Sequence, residues 1–117
     1  MEKNIKISIL CEIYGKMLTE KQYTFIDDYY NNDLSLSEIA ENNNITRQAV
    51  RDVLKQAENK LFEFEEKLEL MKKNEKQENI IRKIFEDIEK TKENIKDENT
   101  KKYFTNIEKQ LKSLGGV

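Results

Sequence analysis

A chain of 117 residues in which 37% are apolar and 38% charged fits one domain with a thin core, plus room for a helical extension. With no histidine and a single cysteine, Cys11, it lacks the usual general base at neutral pH, the commonest transition-metal ligand and any intrachain disulfide. The net charge is −2, no apolar run nears the roughly 18 residues of a membrane span, and no signal-peptide core precedes the first charges; a soluble, cytoplasmic protein is expected.

Proline is absent and glycine occurs three times, so little interrupts a helix and an all-α fold is predicted. The first helix is expected over residues 3–16, with Ile5, Ile9, Leu10 and Ile13 turned to a core and Cys11 among them as a small buried residue. Gly15 reads as its stop. A second helix starts at Thr19, where Gln22 completes a capping box, and should bury Tyr23, Ile26, Tyr30 and Leu34.

Ser35 and Glu38 form the next capping box, with Leu36, Ile39 and Ala40 on one side of a short helix. Asn42, Asn43 and Asn44 should end it, because asparagine tolerates the left-handed backbone of a tight turn. Ile45 plugs that turn and Thr46 caps the following helix, whose Val50, Leu54, Ala57 and Leu61 recur at helical spacing and face inward. Thr46, Arg47, Gln48, Arg51 and Lys55 are left facing outward. Residues 35–61 therefore read as a helix-turn-helix, against the plainer alternative of a capped helical hairpin in an all-α core.

Residues 1–61 are assigned to a helix-turn-helix domain and residues 62–117 to a helical extension for packing or dimerisation. Val50, Leu54, Ala57, Leu61, Phe64, Leu68 and Met71 alternate four and three residues apart. This heptad seam predicts that the recognition helix runs on to about Lys73 and packs like a coiled coil on the C-terminal region or on a second subunit, a homodimer. Asn74 to Gln77 reads as a polar turn and a helix follows from about 78, with Ile81, Ile84, Phe85, Ile88 and Ile95 along one side. Asp97 to Thr100 suggests a break before a last helix lined by Phe104, Ile107, Leu111 and Leu114.

The carboxylates are spread among lysines, as on solvated helical faces, and no Gly-rich phosphate loop occurs; Gly115 and Gly116 are a loose end. Neither a catalytic residue, nor a metal ligand set, nor a cofactor is assigned, and an enzyme is not expected. Residues 18–61 carry five basic and eight acidic side chains, a net of −3, where DNA-binding domains are clearly basic. The outward face nonetheless suits base reading, since arginine grips guanine and glutamine adenine at two points. Asp52 beside it would repel a phosphate. The residues leave a DNA groove and a protein partner both open.

Leu34 to Ala40, then Ile45 to Asp52, resemble the YlxM family of small bacterial helix-turn-helix proteins, as do Leu18 to Gln22, Tyr29-Tyr30 and the stretch from Glu58 to Leu68. The resemblance spans roughly residues 5–73 and fades in the C-terminal third. It implies a non-enzymatic regulatory protein of the signal recognition particle pathway, whose partners would be the targeting GTPase, its RNA, or both. The motif is also similar to the promoter-reading region of sigma factors, which implies Thr46, Arg47, Gln48, Arg51 and Lys55 as the set contacting DNA. A sequence-specific transcription regulator is the alternative.

Overall fold

The N-terminal part of the chain is organised around one long helix whose buried stripe receives three shorter ones. The computed structural model describes residues 1–115, so Gly116 of the expected loose end lies outside them. Six α-helices and no strand occur among the described residues: α1 (Lys3–Tyr14), α2 (Glu20–Ile26), α3 (Leu36–Asn43), α4 (Arg47–Leu68), α5 (Leu70–Glu93) and α6 (Glu98–Ser113). The all-α, helix-turn-helix fold expected from the residues is the one present. Two compact units divide the chain, Met1–Met71 and Lys72–Val117.

In the first unit, α1 buries Ile7, Leu10, Cys11 and Tyr14, a stripe at i, i+3, i+4 and i+7. Ile5, expected inside, is 52% exposed, and Ile9 and Ile13 are half-buried. Isoleucines occupy several sides of this helix, and packing selects the stripe that carries Tyr14 to α4. Gly15 ends α1 with a right-handed backbone, φ −55°, so the turn does not need its freedom. Its requirement is space: a Cβ there would stand 2.8 Å from the ring of Tyr23.

The capping box of α2 is formed as expected: the Gln22 amide donates to Thr19 Oγ1 and the Thr19 amide to Gln22 Oε1, each at 3.1 Å. The buried face differs, however. Gln22, Phe25 and Ile26 are inside and Tyr23 is 44% exposed. A π-helical turn over Asp27–Asn31 then adds a residue to the register, so Tyr30 and Leu34 are only half-buried.

On α4, Val50, Leu54, Ala57 and Leu61 are buried in the core shared with α1, α2 and α3. The heptad seam is therefore occupied within its own unit rather than along a coiled-coil partner. Its next member, Phe64, lies against Tyr14 with ring centroids 5.8 Å apart, Met71 packs on the same core, and Leu68 is 42% exposed.

Two boundaries also move. The helix expected to reach Lys73 stops at Leu68, where Glu69 takes a left-handed backbone, φ 54°, and residues 74–77 lie inside α5 instead of in a turn. The break before α6 comes at residues 94–97, and Asp97 is the cap of the last helix, accepting the amides of Asn99 and Thr100. In the second unit Ile81 and Ile88 are buried, while Ile84 on α5, Ile107 on α6 and Leu114 just after it are exposed. Lys92 reaches Glu108 at 2.8 Å and Lys112 stands over the ring of Phe85.

Candidate nucleic-acid or partner interface

The outward face of α4 is set by what precedes it. Ser35 and Glu38 cap α3 reciprocally, with both hydrogen bonds at 3.1 Å. At its other end Asn44 takes the left-handed backbone, φ 55° and ψ 43°. The Ile45 amide returns to the Ala40 carbonyl at 3.1 Å and that of Asn44 to Glu41 at 3.3 Å. This pair of bonds satisfies the last carbonyls of α3 and turns the chain sharply. Asn43 adds a bond from its side-chain amide to the Ile39 carbonyl at 2.8 Å. Ile45 is half-buried under the turn, and Thr46 Oγ1 accepts the Ala49 amide at 3.0 Å to start α4.

With Val50, Leu54 and Ala57 inside, helical geometry sends the intervening positions out. Thr46, Arg47, Gln48, Arg51 and Lys55 are all exposed, as expected. Gln48 donates to Asp52 Oδ1 at 2.9 Å, so the carboxylate nearest the face is engaged by the face itself. Arg47, Arg51 and Lys55 make no ion pair among the described residues.

Arg51 and Lys55 also border a groove of about 390 Å³ with Lys3 from α1, Tyr29 and Tyr30 from the π-helical turn, and Leu36 from α3. Thr46, Arg47 and Gln48 do not line it. Sequence reasoning missed Lys3 and assigned Tyr30 to the core alone; the tandem Tyr29-Tyr30 was the one signal available. Glu58 lies in the same groove, where the Tyr30 hydroxyl donates to it and Lys3 stands 3.7 Å away. Burial, and then the bond to Glu58, push the Tyr30 phenol well above its ordinary range.

The first unit as a whole carries nine basic and fourteen acidic side chains, a net of −5. Its cations are thus a local feature on an acidic body. A second, more apolar concavity of about 520 Å³ lies between Cys11, Gly15, Leu18 and Tyr23. Burial and Asp27 raise the Cys11 thiol, which keeps it protonated. Among the described residues no cluster of three or more His, Cys, Asp or Glu could hold a metal ion, and no helix is long and apolar enough to cross a membrane.

Comparison with known proteins agrees with this geometry. Residues 1–102 match the family UPF0122, described as "Putative helix-turn-helix protein, YlxM / p13 like". The chain is 42% identical to a UPF0122 protein of Clostridium perfringens and 40% identical to one of Clostridium acetobutylicum, in each case over 97% of this chain and at least 97% of the relative. It is 41% identical to a UPF0122 protein of Fusobacterium nucleatum over 92% of this chain and 97% of that one. Match and relatives extend beyond the motif into α5 and α6, where the resemblance read from the residues fades. The chain belongs to the UPF0122 family of YlxM-like helix-turn-helix proteins.

Proposed function

We propose that this protein is a non-enzymatic cytoplasmic regulator that binds nucleic acid through the first turns of α4 and takes part in the signal recognition particle pathway. The observation that carries nucleic-acid binding is the set Arg47, Arg51 and Lys55, exposed and without ion pairs among the described residues, on a helix held out by the Asn44 turn. The resemblance to YlxM-like proteins supplies the pathway, with the particle's RNA, its targeting GTPase, or both as partner. A body of net charge −5 opposes indiscriminate attachment to polyanions and favours a partner that offers protein contacts beside its phosphates. Exposed Ile80, Ile84, Tyr103 and Ile107 on α5 and α6 support a homodimer through the second unit, which sedimentation at two concentrations tests.

Titration of the purified protein against the particle's RNA, and against the GTPase with and without that RNA, tests the reading. Binding that Arg47→Ala and Arg51→Ala weaken is expected; no binding and no change in GTP hydrolysis reject it.

The exposed Arg47, Gln48 and Arg51 also support the second reading, a sequence-specific transcription regulator with α4 in the major groove of DNA. Selection from random duplexes should then enrich one sequence, and each arginine-to-alanine change should cost about 1–3 kcal/mol on it. Failure to enrich any duplex rejects this second reading.

A further inference from the structure

The groove beside α4 joins two features, and a duplex-reading helix needs only the second of them. One is an aromatic pair. Tyr29 is 37% exposed and meets Tyr30 edge-on, with ring centroids 5.0 Å apart and planes at 86°. The Tyr30 hydroxyl is in turn tied to Glu58, so the inner ring is held in place and steadies the outer one. The other feature is charge: Lys3, Arg51 and Lys55 border the same space against the one carboxylate of Glu58, which Lys3 approaches at 3.7 Å. The groove, at about 390 Å³, exceeds the volume of a nucleobase, and Leu54 gives it an apolar wall.

We infer that this groove captures an unpaired nucleotide of a single strand, its base stacked on Tyr29 and its phosphate held by Arg51 and Lys55. Stacking tolerates any base, because each has a π-face, and cations beside the ring track the backbone. A base still paired within a duplex is stacked between its neighbours and has no free face to offer the ring. The inference rests on the nucleic-acid reading above and adds to it the state of the strand: looped or single, not double.

The test uses the full-length protein and fluorescence anisotropy with labelled strands of roughly twelve nucleotides, long enough for such a groove and its flanks. The probes are a non-self-complementary RNA, the DNA of the same sequence, and that DNA as a duplex. Single strands are expected to bind more tightly than the duplex. Tyr29→Ala should weaken single-strand binding on the order of tenfold and leave the duplex unchanged, while Tyr29→Phe, which keeps the ring, behaves as the parent. Tyr29-dependent binding of either strand supports the groove, and the tighter of the two identifies its source. Single-strand affinity insensitive to Tyr29→Ala, or a preference for the duplex, overturns the groove and leaves the α4 reading standing. Binding of none of the three probes overturns the groove, whereas the α4 reading stands or falls with the particle's RNA and GTPase.

Discussion

The Tyr14 hydroxyl donates to Oε1 of Glu65 at 2.7 Å, joining α1 to the end of α4 across 51 residues of chain. The same hydroxyl oxygen accepts the Leu70 amide at 3.1 Å, and the same carboxylate oxygen accepts the Met71 amide at 3.0 Å. Two amides at the start of α5 thus find partners on side chains fixed by the core. That is the physical reason a helix without glycine or proline stops at Leu68: the first amides of a new helix need acceptors, and tertiary structure supplies them here.

Removing this hydroxyl should therefore be felt. Tyr14→Phe leaves the ring and its contact with Phe64 but strips an acceptor from a part-buried amide. A loss of about 1–2 kcal/mol in urea unfolding is expected. A change within error would show that the break at Glu69 does not depend on Tyr14.

Alkaline pH should act in the same place. Burial and then the bonds to Glu65 and Glu58 raise the phenols of Tyr14 and Tyr30 above the ordinary value of 10.0. The folded state holds these protons more tightly than the unfolded chain. Their stabilisation is full below the unfolded value and is lost as pH rises through the folded ones. Unfolding free energy should fall above about pH 10, and a Tyr14→Phe, Tyr30→Phe double variant should show a shallower fall. Parallel pH curves for parent and variant would refute the assignment.

The turn of the motif gives a backbone prediction. Asn44 stands at φ 55°, where glycine is at ease and a β-branched residue is strained. Asn44→Gly should change the midpoint of unfolding little, whereas Asn44→Val should cost about 1–2 kcal/mol. Equal behaviour of the two would mean that the αL turn does not carry the geometry assigned to it.

Binding through Arg47, Arg51 and Lys55 carries a salt signature. Three phosphate contacts predict a slope of log affinity against log salt of about −2.7 on duplex and about −2 on a single strand, and each alanine replacement should reduce it by about one. Folding stability should stay within about 0.5 kcal/mol, because all three side chains are exposed. A slope that none of the replacements alters would place the phosphate contacts elsewhere.

Much of the first unit was legible in the residues, because caps and turns are local. Thr19 with Gln22, Ser35 with Glu38, Thr46, and Asn44 in the left-handed conformation all act within three or four positions of themselves. The outward set from Thr46 to Lys55 followed once Val50, Leu54 and Ala57 were placed inside. The choice of face on α1 and α2 was not legible: Ile5 and Tyr23 satisfy helical periodicity as well as Ile7 and Phe25 do. Only the packed neighbours distinguish them. The groove escaped for a related reason, since Lys3 and Lys55 lie far apart in the chain and meet only through folding.

By itself, the order of residues determined that this protein is helical, where the caps at Thr19, Ser35 and Thr46 fall, and which side chains of α4 lead outward, since each depends on backbone geometry over a few residues. Tertiary structure alone decided that the apolar seam of α4 closes on its own unit, that the long helix breaks at Glu69, and that two tyrosines stand beside Arg51 and Lys55. Those outcomes turn on groups distant in sequence competing for the same buried volume and the same amides, and no local pattern records which of them wins.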